Sequence, residues 1–160
     1  MKKMMVLCVG AVLLTTSTSF AKWYPDKSAG VQVNIPGHWK VGGGGDTLEA
    51  ESKDGMAMLH FMVMDGNTVD AALDEMEKQL GTLFRNVKPY GDPSEFTHGP
   101  FRGIEFTGVG MAEGVRFKFA VMLFQRPGKR VVMMYGLVVE SKWGKHKRTI
   151  HKILKSISSY

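Results

Sequence analysis

Two segments of this chain are apolar on both sides of a strand, and nothing else in the sequence constrains the fold as tightly. In the stretch from Met56 to Met64, successive side chains point to opposite faces if the backbone is extended. One face then carries Ala57, Leu59, Phe61 and Val63, and the other carries Met56, Met58, His60, Met62 and Met64. Residues Arg130 to Val139 repeat the arrangement, with Val131, Met133, Tyr135 and Leu137 on one side and Val132, Met134 and Val138 on the other. A strand without a polar face belongs in the middle of a sheet that is covered twice.

The covers have to be amphipathic, and the sequence offers two helices. Val69, Ala72, Leu73, Met76, Leu80, Leu83 and Phe84 recur at helical spacing, while Asp70, Asp74, Glu75, Glu77 and Lys78 fall elsewhere. Asn67 or Thr68 supplies the N-cap, and Asp70 suits the first turn of the helix dipole. A second helix, capped by Ser141, sets Trp143, Ile150, Ile153, Leu154 and Ile157 on one side. Further strands are expected at Val31–Ile35, Trp39–Val41, Thr47–Glu51, Val87–Tyr90, Glu95–Thr97, Phe101–Ala112 and Val115–Gln125, with turns short enough for antiparallel hairpins. The glycines from Gly42 to Gly45 read as a flexible hairpin loop, because neither Lys-Ser/Thr nor a helix follows to make a phosphate cradle. The expected class is α+β: an antiparallel β-sheet covered by helices on both faces, an α-β-α sandwich.

The N-terminus reads as an address. Lys2 and Lys3 precede an apolar run from Met4 to Leu14, and Ser19-Phe20-Ala21 places small residues at a cleavage site. This is the pattern of a secretory signal peptide over residues 1–21, leaving residues 22–160 as one domain. Cys8, the one cysteine, falls within the removed segment, so the mature chain has neither a disulfide nor thiol chemistry. No later run is apolar for long enough to span a bilayer. The expected location is the periplasm or the medium, and the protein is not transmembrane.

Charge is distributed unevenly. Loss of Lys2 and Lys3 takes the formal charge from +6 to +4. From Lys22 to Glu113 there are 8 Lys/Arg against 14 Asp/Glu, and from Gly114 to Tyr160 there are 11 against 1. The last helix concentrates Lys145, Lys147, Arg148, Lys152 and Lys155 outside its apolar stripe, a candidate surface for an unknown protein or an anionic membrane surface. Export argues against nucleic acid as the partner.

The methionine row admits two readings. Methionine is a flexible core filler, and a row beneath a helix is ordinary packing, with His60 bonded to a neighbour. Thioether and imidazole ligands also suit a soft metal such as copper, and an exported protein meets copper where cysteine is oxidisable. Core is the favoured reading, and a metal-handling role through Met56, Met58, His60, Met62 and Met64 is the alternative.

Catalytic constellations are not visible. The sequence lacks Gly-x-Ser-x-Gly and His-Glu-x-x-His, and His38, His60, His98, His146 and His151 are dispersed. Glu105 is the one carboxylate set among apolar residues on a strand. No cofactor is called for, and the reading is that the chain is not an enzyme.

One resemblance adds to this. Val33-Asn34-Ile35-Pro36-Gly37-His38-Trp39-Lys40 resembles the first strand and turn of the PsbP-like superfamily. The order of hairpins, helix, long antiparallel strands and a last helix ending Ile153-Leu154-Lys155-Ser156-Ile157 is similar as well. The superfamily includes small secreted bacterial proteins of the DcrB type. The resemblance implies an α-β-α sandwich and a binding or accessory role in the cell envelope, with no shared catalytic residues to carry over.

Overall fold

The two strands that lack a polar face lie side by side in the interior of a large sheet, as their composition demands. The structure, a computed structural model, describes residues 20–65 and 68–160. In chain order it runs β1 (Lys22–Asp26), β2 (Val31–Ile35), β3 (Lys40–Gly44), β4 (Thr47–Glu51), β5 (Ala57–Val63), α1 (Val69–Leu83), β6 (Arg85–Pro89), β7 (Ser94–His98), β8 (Phe101–Ala112), β9 (Val115–Gln125), β10 (Val132–Val139), α2 (Trp143–Leu154) and β11 (Ser158–Ser159). Eight strands form an antiparallel sheet in the order β3-β4-β5-β10-β9-β8-β6, with β7 paired to β8. β5 and β10 are neighbours, with His60 opposite Tyr135 and Met62 opposite Met133.

Alternation along β10 feeds two apolar clusters. Val132, Met134 and Val138 join Leu59 and Phe61 of β5, Val31, Val33 and Ile35 of β2, and Ile150, Ile153 and Leu154 of α2. Val131, Met133 and Tyr135 join Ala72, Met76 and Leu80 of α1, together with Phe84 just beyond it. Burying an aliphatic side chain of this size contributes about 1.5–3 kcal/mol, so Ile150 and Ile153, both essentially without exposed surface, anchor α2 firmly. Close approach of α2 depends on Gly136. A methyl group on it would lie 2.7 Å from Cγ2 of Ile150.

Several expectations need correction. β2 does not join the main sheet; it sits between β1 and β11 in a separate three-stranded sheet. Neither β1 nor β11 is patterned strongly enough to read from sequence, since β1 is mostly exposed and β11 is two serines. Gly42 to Gly44 are strand residues of β3 rather than loop, and the hairpin turns at Gly45 and Asp46. Ser141 does not cap α2: it lies in a 3-10 turn, Glu140–Lys142, and Lys142 holds the N-cap position without a side-chain bond. Thr68 does cap α1, its hydroxyl accepting from the Ala71 amide at 3.3 Å. The alternative cap Asn67, and the signal peptide up to Ser19 with Cys8 in it, lie outside the described residues.

Candidate functional site

The outer face of α2 is held in place by a turn on another element. Between β4 and β5 the chain runs Ser52-Lys53-Asp54-Gly55-Met56, with Gly55 at φ 70°. One oxygen of Asp54 accepts from the Ser52 hydroxyl at 2.7 Å and the Met56 amide at 3.2 Å. The other accepts from Lys145 Nζ at 2.6 Å and His146 Nε2 at 3.0 Å. Lys145, then Ser52, hold the Asp54 carboxyl far below the usual carboxylate range, with burial opposing them. Because an ionised carboxylate only accepts, Nε2 of His146 carries the proton in this bond. Ser52, Asp54 and His146 therefore meet, yet they form no nucleophilic relay. The serine hydroxyl is buried, donates to the carboxylate rather than to imidazole, and accepts from the Ala57 amide.

All five basic residues singled out on α2 are exposed, and they are not equivalent. Lys145 is committed to Asp54. Lys147, Arg148, Lys152 and Lys155 pair with no carboxylate among the described residues. Trp143 is half-buried at the start of the helix, under Lys118 at 5.8 Å from its ring centre and beside His151. Past the end of α2, an open hollow of about 550 Å³ is lined by Glu105, Thr107, Met122, His151, Leu154 and Lys155, among others. Glu105 is exposed there, on the sheet face that α2 leaves uncovered.

The methionine row is not buried beneath a helix. α1 packs chiefly over β9 and β6, so the far end of β5 lies beyond its footprint. Met56 is 37% exposed and Met58 45%, while His60 and Met62 are half-buried. Met64 alone is fully buried, and it lies past the end of the strand. His60 has its Nδ1 against the Tyr135 hydroxyl, with the two rings edge to face at 5.0 Å. Its Nε2 has no hydrogen-bond partner and faces Oε1 of Glu49 at 3.8 Å. Burial lowers the pKa of His60, with Glu49 pulling the other way, and burial with the Glu49 charge pushes the Tyr135 phenol up to about 12.

No protein-family profile matches the sequence, and no curated protein matches it. Solved structures do. The cyanobacterial PsbP of Synechocystis superposes with a TM-score of 0.62 at 11% identity, over 91% of this chain and 96% of that one. The fold is PsbP-like. The Ran-binding protein Mog1p of Saccharomyces cerevisiae gives 0.54 at 9% identity, over 89% of this chain and 96% of its own. A Bacteroides thetaiotaomicron structure gives 0.59 at 13% identity over 87% of this chain, which spans about half (48%) of that longer one. Identities this low carry the fold and no residue roles.

On the PsbP-like frame the two sequence-predicted sites are separate. The cations ride on α2, which packs with Leu59 and Phe61, whereas Met58, His60 and Met62 alternate with those residues and point to the other side of β5. The sequence does not by itself point to the Asp54–Lys145–His146 cluster, and it gives a bonded neighbour for His60 without naming Tyr135 as the partner. The first had a visible signal in the Asp-Gly turn. The second depends on the β5–β10 register, which no local pattern specifies.

Proposed function

We propose that this chain is an exported, non-catalytic accessory protein of the bacterial cell envelope. It works by holding an acidic protein partner against the outer face of α2, on an α-β-α sandwich formed by residues 22–160 with a helix over each face of the sheet. The observation that carries this reading is the set Lys147, Arg148, Lys152 and Lys155: exposed, without carboxylate partners among the described residues, on a helix containing no acidic residue. Charges the fold does not use are available to a partner, and they act at long range before contact. The Ran-binding Mog1p, of similar fold, supports a reading in which the frame serves protein recognition.

The test is a pull-down of envelope proteins with the mature chain at low and high salt, alongside K147E/R148E/K152E. Salt-sensitive capture of an acidic protein, lost in the triple variant, is the expected result. Capture unchanged in the variant refutes the α2 surface. Co-sedimentation with anionic vesicles in place of protein capture makes the partner a lipid surface instead.

A further inference from the structure

Covering the methionine row only in part has a chemical consequence. Met58, His60 and Met62 are successive residues on one face of β5, so their backbone positions are about 6.6 Å apart. A thioether arm therefore starts on each side of the imidazole, and each arm is flexible. Glu49 and Glu51 of β4 lie directly opposite His60 and Met58, on the same face. Opposite the same residues on β10 lie Tyr135 and Leu137. This face of β5 and β4 thus combines two soft sulfurs, one imidazole nitrogen and a negative field.

His60 is the decisive residue. Its Nε2 is shielded from water and has no partner, which is costly for a ring nitrogen. If Nδ1 carries the proton and donates to the Tyr135 oxygen, the Nε2 lone pair is what lies unpaired. A metal-binding histidine has the same arrangement: one nitrogen fixed by an outer partner and the other presented. Harder ions are poorly served, because among the described residues no three His, Cys, Asp or Glu side chains converge. Met64 is sealed under α1 and takes no part.

We infer that Met58, His60 and Met62 form a binding site for a soft monovalent cation, Cu(I) or its analogue Ag(I), with Glu49 supplying outer-sphere charge. Met62 Sδ is at present approached by the Gln79 amide at 3.9 Å, a weak contact that the cation displaces. Tyr135 is a positioning residue that orients the ring. The site lies on the opposite side of β5 from the α2 cations and is independent of the function proposed for them.

The test is anaerobic competition for Cu(I) between the mature protein and a chromophoric Cu(I) chelator, with Ag(I) titration followed by NMR. Wild type is expected to withdraw one Cu(I) per chain, and Ag(I) to shift the methyl signals of Met58 and Met62 while leaving that of buried Met133. The M58L/M62L variant keeps apolar volume at half-open positions, so its circular dichroism and thermal midpoint should match wild type while its Cu(I) uptake disappears. Y135F should weaken uptake about 10-fold or more, as loss of an outer partner does. K147E/R148E/K152E should bind Cu(I) as wild type does. No withdrawal by wild type, or equal uptake by M58L/M62L, overturns the site.

Discussion

Replacing Gly136 by alanine is the sharpest probe of how α2 is seated. The new methyl would lie 2.7 Å from Cγ2 and 3.2 Å from Cδ1 of Ile150, whereas carbon atoms in contact settle at about 3.5–4.0 Å. Ile150 has no exposed surface and is packed among Leu59, Met134 and Val138, so it cannot swing aside. Overpacking of this kind costs about 1–3 kcal/mol. The lower chain entropy of alanine in the unfolded state returns about 0.4–1 kcal/mol. The net loss is then roughly 0–2.6 kcal/mol, about 1.3 kcal/mol at mid-range, or a few degrees in the thermal midpoint. Ile150→Ala alone should cost about 2–5 kcal/mol, because it opens a cavity beneath the helix. In G136A/I150A the added methyl fills part of that cavity and meets no isoleucine, so the double variant should lose less than the two singles together. Urea unfolding of the four proteins measures the cycle. A G136A midpoint above that of wild type, or strict additivity, would refute the argument that Gly136 sets the distance of α2 from the sheet.

Three further outcomes are expected. Met58→Ala should change stability by less than about 0.5 kcal/mol while Met133→Ala costs about 2–5 kcal/mol, and equal losses in urea would return the whole row to the core. Lys145 and Ser52 hold the Asp54 carboxyl well below its ordinary value of 3.8, so its contribution is complete above that pH and is lost as pH falls beneath it. The midpoint of wild type should exceed that of Asp54→Asn at neutral pH and approach it in strong acid, as thermal scans across pH would record. The pKa of His60 is lowered from 6.5, so below that pH the unfolded chain binds a proton more readily than the folded one. Wild type should therefore lose stability from neutral pH towards pH 5 more steeply than His60→Gln, and a histidine ring titrating at or above 6.5 by NMR would contradict this.

The buried stripe of each helix was legible because periodicity reports burial directly. Ala72, Met76 and Leu80, and Ile150, Ile153 and Leu154, lie in the core as their spacing requires. The two-sided strands were legible for the same reason. Alternation, however, says which face a residue points to and not how far along the strand the cover reaches. Met62 and Met58 have the same pattern, but only Met62 packs against the α1 cluster. Partners across strands were invisible for a related reason: Tyr135 meets His60 through a pairing 75 residues apart. Polar residues at strand ends, such as Ser158 and Ser159, gave no signal, since their pairing is backbone only.

That last pairing joins segments far apart in the chain. β2 presents Val31, Val33 and Ile35 to a cluster whose other members include Ile150, Ile153, Leu154 and Ile157. The Asn34 amide donates to the Ser156 hydroxyl, and Gln32 reaches the Ser159 carbonyl across 127 residues. On a chain made from its N-terminus, β2 emerges well before the α2 residues that pack on it. Contacts so far apart in sequence slow folding, because the loop must close before they contribute. Until α2 follows, the three aliphatic side chains of β2 lack the α2 part of their packing, which is the kind of exposed apolar surface that makes folding intermediates prone to aggregate.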